Sequence, residues 1–258
     1  MISGFQTKNF IFEYTESDID NTVLWESHCH ARYELIAVLE GDINVMLEGR
    51  DYRLTEGQTT VIPPLAYHTI TSNKRGTYRR VTALFELSAI PEALHPRFLE
   101  TGGSIAISSS EEARELKRIC EKRDPSFYAP LAESLMIRLL YSNAEEREAR
   151  TATETDAFLR KVILYIDEHL DEKISLDDLS RATSRSKSSF CHLFEAKMNI
   201  SPKQYILRKK LALADKLIGE GTPPTVAAMQ VGYENYSDFY RIYRRHFGIS
   251  PTGRRTKV

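Results

Sequence analysis

The chain has 258 residues, of which 41% are hydrophobic and 28% are charged, and its formal net charge is −1. This composition excludes a disordered or collagen-like chain, and the length fits one large domain or two ordinary ones. Because the sequence contains no long apolar run and no signal-peptide core, we expect no membrane span. Three widely spaced cysteines without a paired motif favour a reduced, cytoplasmic protein.

The N-terminal part of the chain predicts short β-strands. The segment from Ile43 to Leu54 alternates apolar and polar side chains on both sides of Glu48-Gly49, which is typical of a hairpin with one buried face. Apolar stretches also run into Gly41 and follow Gly57. Short strands at this spacing, separated by glycine and proline, indicate a small sandwich or barrel.

Three histidines and one glutamate in this part form a candidate ligand set, namely His28, His30, Glu34 and His68. Side chains two residues apart share one face of a strand, so His28 and His30 can point into the same interior. Imidazole and carboxylate groups bind divalent transition metals. The spacing resembles the cupin signature over residues 20–90, with Leu65 in place of the usual glycine.

Three interpretations of this ligand set stay open: a metal site, a metal-free effector pocket, and a structural role inside the domain. Nearby aromatic side chains would supply the walls of an effector pocket. The candidate effector-binding residues are Trp25, His28, His30, Tyr33, Glu34 and His68.

Two helices are predicted next. Ser109-Ser110 before Glu111-Glu112 is typical of a helix start, and Pro125 ends that segment. Phe127, Leu131, Leu135 and Leu139 then recur every four residues on a second helix. This apolar stripe predicts packing against the β-domain, with pairing to a second subunit as the alternative.

The stretch 142–156 lacks large apolar residues and predicts a solvated linker, so we place the domains at 1–150 and 151–258. The first domain carries 17 basic and 23 acidic side chains, a net charge of −6. The second carries 18 and 13, a net charge of +5. The asymmetry indicates an acidic module joined to one that binds a polyanion.

The basic half contains an internal repeat at an offset of 49 residues, which superimposes Phe190 on Phe239. Each copy predicts a short helix, a tight turn and a second helix, with Ser175, Ser186 and Asn235 as N-terminal caps. Two helices joined in this way form a helix-turn-helix, whose second helix can lie in the major groove of DNA. A connecting helix over 203–218 would hold the two recognition helices about one DNA turn apart.

Residues 159–255 resemble the DNA-binding domain of AraC/XylS-type transcriptional regulators. The matching segments are ISLDDLS, SKSSFCHLFEAKMNISPKQYI, KKLALADKLI and VGYENYSDFYRIYRRHFGISP. The chain departs from the family pattern at Pro224, Ala227, Ser180, Arg185 and His192. The resemblance implies an α+β protein of two domains. An N-terminal cupin-like β-barrel with flanking helices would sense a ligand and dimerise, and an all-α C-terminal domain would carry two helix-turn-helix units.

The resemblance also assigns DNA contacts to the outward positions of both recognition helices. Arg241 is the strongest candidate for base recognition, because a guanidinium can donate two hydrogen bonds to guanine. Other basic side chains, Lys210 among them, would contact phosphates and give affinity without sequence information. The candidate DNA-binding residues are Lys187, Ser188, Cys191, His192, Tyr236, Ser237, Tyr240, Arg241, Arg244 and Arg245.

These features predict a sequence-specific DNA-binding transcription regulator, an activator controlled by a small-molecule effector, and not an enzyme. The expected partners are double-stranded DNA, the effector and a second copy of the chain; a divalent transition metal is the one cofactor left open. The alternative function is a metal-dependent cupin enzyme carrying a DNA-binding tail, which only the histidine–glutamate set motivates. No nucleophile triad, phosphate-binding glycine loop or zinc-finger spacing indicates other chemistry.

Overall fold

The N-terminal half of the chain folds into two β-sheets. The computed structural model describes residues 1–19, 23–95, 104–107, 110–145 and 157–253. In chain order its strands are β1 (Ile2–Gln6), β2 (Phe10–Ile19), β3 (Val23–His28), β4 (Tyr33–Glu40), β5 (Asp42–Leu47), β6 (Arg50–Thr55), β7 (Gln58–Ile62), β8 (His68–Ser72), β9 (Gly76–Phe85) and β10 (Ser104–Ile107). An antiparallel sheet has the order β1-β2-β9-β4-β7-β10, and a smaller sheet has the order β3-β8-β5-β6.

The predicted hairpin is confirmed. β5 pairs with β6 from Ile43 opposite Leu54 to Leu47 opposite Arg50. Glu48 and Gly49 form the turn with φ angles of +48° and +75°, which match the twist that a two-residue hairpin requires. The described strands form two separate sheets, so the closed barrel that the sequence predicted is not confirmed.

One face of the six-stranded sheet packs against two helices, α1 (Ser110–Cys120) and α2 (Ala129–Glu145). Neighbouring side chains on a strand point to opposite faces. On β9, Val81, Ala83 and Phe85 share an apolar core with Leu116 of α1 and Leu139 of α2. The alternate residues of β9 therefore point to the other face of the sheet, away from these helices.

The apolar stripe predicted on the second helix is only partly buried. Leu135 and Leu139 lie in the core, whereas Phe127 is 77% exposed and Leu131 is 45% exposed. Phe127 belongs to a short 3₁₀ helix, Pro125–Tyr128, that precedes α2. Because a helix has 3.6 residues per turn, side chains spaced four residues apart rotate progressively around its axis. Leu131 therefore does not point to the same buried side of α2 as Leu139. An apolar surface is therefore left at the start of α2.

Residues 157–253 are helical, as the sequence predicted. The helices are α3 (Ala157–Glu168), α4 (Leu176–Ala182), α5 (Lys187–Met198), α6 (Pro202–Gly219), α7 (Pro224–Gln230) and α8 (Tyr236–Phe247). The two copies of the repeat are α4–α5 and α7–α8, and α6 connects them. The chain divides into two compact units, the second of which contains Glu154–Val258. The predicted boundary falls within 146–156, outside the described residues.

The predicted helix caps are confirmed. Ser175 and Asp178 form a reciprocal capping box at α4. The Ser186 hydroxyl accepts a hydrogen bond from the Ser189 amide at α5, and the Asn235 side chain accepts one from the Ser237 amide at α8. Because each cap satisfies an otherwise unpaired backbone donor, both recognition helices start at defined residues.

Two of the departures from the family pattern have structural partners. Ser180 is buried, and its hydroxyl donates to the Asp177 carbonyl oxygen at 3.0 Å. The Arg185 guanidinium lies over the Phe158 ring, 5.4 Å from its centre. Both polar side chains are thus accommodated where the family has apolar or small residues. Among the described helices, none is both long and apolar enough to cross a bilayer.

Candidate functional site

Four side chains converge where β3 ends and where β4 and β8 begin. His28 is the last residue of β3, His30 lies in the following turn, Glu34 is on β4, and His68 is the first residue of β8. Their potential ligand atoms all lie within 4.8 Å of one another. The assumption that both histidines lie on one strand is wrong, because β3 ends before His30 and a turn carries the second imidazole to the cluster.

The histidine cluster, His28, His30, Glu34 and His68, has an inner and an outer pair. Glu34 and His68 are buried, and His68 Nε2 lies 3.5 Å from Glu34 Oε2. His28 and His30 are half-buried, with ring centres 5.8 Å apart. The outer pair is therefore the more accessible side of the cluster.

The donor set of the histidine cluster fits a divalent transition metal. Three imidazole nitrogens and a carboxylate oxygen are ligands that zinc and related ions accept. Two ligand atoms about 2.1 Å from one ion lie at most about 4.2 Å apart. A spread of up to 4.8 Å therefore closes onto an ion with small side-chain movements. The same groups can hydrogen-bond a polar organic molecule, so the geometry suits an effector as well.

One residue predicted to line the effector site is not brought to the cluster. Tyr33 neighbours Glu34 on β4 and therefore points to the opposite face. Its ring stacks on Phe85, with centres 5.4 Å apart, inside the core that packs against α1 and α2. The structure therefore places Tyr33 in this core and not at the histidine cluster. The side chain of Trp25 lies outside the described part of the structure.

The first recognition helix, α5, presents a polar outer face. Lys187, Ser188 and His192 are exposed, and Cys191 is half-buried. Lys187 Nζ lies 2.8 Å from Asp177 Oδ1, and both side chains are largely exposed. An exposed ion pair contributes little free energy, so Lys187 can exchange this carboxylate for another anion at small cost.

The second recognition helix, α8, carries more positive charge than α5. Its predicted DNA-contacting residues are exposed or half-buried: Tyr236, Ser237, Tyr240, Arg241, Arg244 and Arg245. Arg241 is ion-paired with Asp238, three residues before it on the same helix. Because the Arg241 side chain is 72% exposed, this pair is weak and can open when two stronger acceptors approach.

Lys210, which the sequence placed at a phosphate, lies in the interior of the helical unit. Its Nζ donates to the Val231 carbonyl oxygen at 2.7 Å and to the Glu172 carbonyl oxygen. Burial lowers the pKa of the Lys210 ammonium. The predicted phosphate contact is therefore wrong, because the Lys210 ammonium already donates hydrogen bonds to two backbone carbonyl oxygens in the interior. Beside it, the buried Lys209 is paired with Asp167 at 2.6 Å.

Comparison with known proteins finds relatives of both halves. A model described as an AraC-like ligand binding domain matches residues 9–159, and a model described as a helix-turn-helix domain matches residues 179–257. The probable transcriptional regulator LumQ of Photobacterium leiognathi is 43% identical over 89 residues, which cover 34% of this chain and 36% of LumQ.

Two further relatives align over most of their length. The uncharacterized HTH-type transcriptional regulator YobQ of Bacillus subtilis is 24% identical over 242 residues, covering 89% of this chain and 88% of YobQ. The HTH-type transcriptional activator RhaS of Salmonella arizonae is 22% identical over 236 residues, covering 87% of this chain and 85% of RhaS.

Proposed function

The chain belongs to the AraC family of transcriptional regulators, and we propose that it binds a specific DNA sequence under the control of a small-molecule effector. The observation that carries this proposal is the pair of helix-turn-helix units, α4–α5 and α7–α8, each with a capped second helix and a polar outer face. Base contacts are assigned to Ser188, Cys191, His192, Tyr236, Ser237, Tyr240 and Arg241, and phosphate contacts to Lys187, Arg244 and Arg245.

A gel-shift titration with DNA from upstream of the chain's own coding region tests the proposal. We expect affinity to fall steeply between about 50 and 200 mM salt, because each neutralised phosphate releases condensed counterions. Folded protein that binds neither this DNA nor unrelated DNA would rule out the proposed function.

We place the effector at the histidine cluster and the buried sheet face beside it. A binding site with a few convergent polar groups is typical of small-molecule sites. We propose no catalytic role for the cluster, since the relatives described above are named as transcriptional regulators. Because RhaS is named an activator, we propose that this chain raises transcription from its target promoter, which a reporter assay with and without the chain measures.

We further propose that the histidine cluster binds one divalent transition metal; an ion that accepts more than four ligands would keep an open coordination position for an effector oxygen. Protein expressed with added zinc or manganese is expected to contain about one metal per chain by mass spectrometry. His30→Ala removes a half-buried ligand and should lose most of this metal. His169→Ala is the control, because His169 Nδ1 bonds the Tyr165 carbonyl oxygen in α3. Equal metal content in both variants would contradict the assignment.

Dimerisation is proposed through the apolar surface at the start of α2. Phe127 and Leu131 are exposed there, and exposed apolar patches commonly mark protein interfaces. Sedimentation is expected to give a dimer at micromolar concentration for the wild type and a monomer for Leu131→Glu. A monomeric wild-type protein would contradict this proposal.

A further inference from the structure

A cleft in the helical unit lies where the segment that leads into α4 meets the starts of α5 and α6. Its volume is about 470 Å³, which is within the range of small-molecule sites in proteins. Three aliphatic and three basic side chains supply most of its lining: Ile174, Leu176, Ile206, Lys173, Lys187 and Lys203. The cleft thus combines an apolar surface with positive charge.

The aliphatic side chains are the less exposed part of this lining. Ile206 is buried, whereas Ile174 and Leu176 are half-buried. An apolar group that covers them removes apolar surface from water, which is favourable in proportion to the area covered. A ligand that fits this cleft therefore has an apolar part.

The basic side chains of the cleft are exposed. Lys187 forms the surface ion pair with Asp177 described above. Within the described part of the chain, no acidic side chain is paired with Lys173 or Lys203, and no acidic residue lines the cleft. Three ammonium groups thus border an apolar surface, so a ligand that fits this cleft is also negatively charged.

Helix caps fix the backbone around the cleft. Ser175 and Asp178 form the capping box at the start of α4, and Ser201 caps α6. Lys203 and Ile206 are three residues apart on α6 and therefore lie on the same side of that helix. A ligand would meet basic and apolar groups on backbone that is already ordered, which keeps the entropic cost of binding low.

We propose that this cleft binds a small amphipathic anion, with its apolar body against the three aliphatic side chains and its carboxylate at the three lysines. Hydrogen bonds between ammonium and carboxylate groups are charge-assisted and stronger than neutral ones. A DNA phosphate offers negative charge without an apolar body, so DNA alone does not account for the aliphatic part of the lining.

An anion in the cleft would compete with DNA. Lys187 is the first residue of the recognition helix α5 and is assigned to a phosphate. A carboxylate that occupies its ammonium group removes this contact and places a negative charge beside the DNA-binding surface, where it repels phosphates. The competition rests on the proposed function, whereas the binding of the anion does not.

The binding test is an NMR titration of the full chain with phenylacetate and cyclohexanecarboxylate, and with phenylacetamide and cyclohexanecarboxamide as uncharged counterparts. EDTA is present to remove any metal from the histidine cluster, and the ionic strength is constant. At least one carboxylate is expected to bind with a Kd of about 3 mM or lower. Its amide and inorganic phosphate, which lack the charge and the apolar body respectively, should bind at least about 10-fold more weakly.

Substitution of single lysines locates the bound anion. Lys203→Gln should weaken carboxylate binding about 10-fold, and Lys173→Gln, at a second exposed position, should act in the same direction. Lys216→Gln is the matched control. Lys216 is paired with Glu220 near the other end of α6, about 20 Å from Lys203, and does not line the cleft. This control should bind the carboxylate as the wild type does.

A gel shift measures the competition. With the carboxylate at about 10 times its Kd, we expect DNA binding to weaken about 3- to 10-fold for the wild type and for Lys216→Gln. Lys203→Gln should bind DNA as the wild type does without the anion, and its DNA affinity should fall less than about 2-fold when the anion is added.

Three results would overturn the inference: a folded wild type that binds neither carboxylate, an amide or phosphate that binds as tightly as the carboxylate, or equal carboxylate binding by the wild type, Lys203→Gln and Lys173→Gln. Unchanged DNA affinity in the presence of bound carboxylate would refute the competition. Carboxylate binding by a chain that binds no DNA would refute the proposed regulator and support the cleft, so the two failures are distinguishable.

Discussion

Replacing Arg241 with alanine is expected to weaken binding to the specific DNA site by about 10- to 100-fold and to change binding to unrelated DNA far less. A bidentate arginine–guanine contact contributes about 1–3 kcal/mol of discrimination against other bases. Arg241 is exposed on α8, and its surface ion pair with Asp238 offers little resistance to such a contact. Fluorescence anisotropy with the specific duplex and a scrambled duplex gives both affinities.

Arg245→Ala is the matched control for this prediction. Arg245 is exposed on the same helix and is assigned to phosphate, so its loss should weaken both duplexes by a similar factor. The loss of Arg245 should also reduce the slope of the logarithm of the binding constant against the logarithm of the salt concentration by about 1 in magnitude. Equal losses on both duplexes for Arg241→Ala would show that Arg241 contacts phosphate and not a base.

Gly232→Ala is expected to destabilise the helical unit by about 3 kcal/mol or more. Gly232 has a φ of +74°, where a side chain is strained. An added Cβ would also lie 2.7 Å from the Glu172 carbonyl oxygen and 2.8 Å from Lys210 Nζ. The added Cβ would therefore displace the Lys210 ammonium, which donates hydrogen bonds to the carbonyl oxygens of Glu172 and Val231.

Gly248→Ala is the control that separates the steric clash expected at Gly232 from the strain of a side chain at positive φ. Gly248 has a φ of +71°, close to that of Gly232, but nothing lies within 4 Å of an added Cβ. It should cost only about 1–2 kcal/mol, the penalty of the left-handed conformation. Urea unfolding followed by helical circular dichroism measures both variants, while the single tryptophan, Trp25, reports the N-terminal part. Equal destabilisation by the two variants would contradict the packing described for Gly232.

Local sequence signals predicted the elements whose causes are local. The Glu48-Gly49 turn, the caps at Ser175, Ser186 and Asn235, and the repeated helix pairs each depend on residues a few positions apart. The histidine cluster was also predictable from spacing, although a turn rather than a shared strand face brings His30 to it.

Other features depend on residues far apart in the chain. Lys210 could be read as a phosphate contact because nothing near it in sequence shows that Glu172 and Val231 offer it carbonyl oxygens. Tyr33 was assigned to the effector site by its nearness to Glu34, although strand alternation would have separated the two. Alternation along β9 separates Arg80 from Val81 and Phe85, but nothing near Arg80 in sequence shows that it is buried, and the sequence analysis missed this.

Hydroxyl-radical footprinting of the chain on its upstream DNA tests the central claim most directly, because two helix-turn-helix units joined by one helix must contact the duplex together. The connecting helix α6 has 18 residues and a length of about 27 Å. We expect two protected segments on one face of the duplex, with centres about 10 base pairs apart. A single protected segment, or protection that is independent of the DNA sequence, would contradict the account.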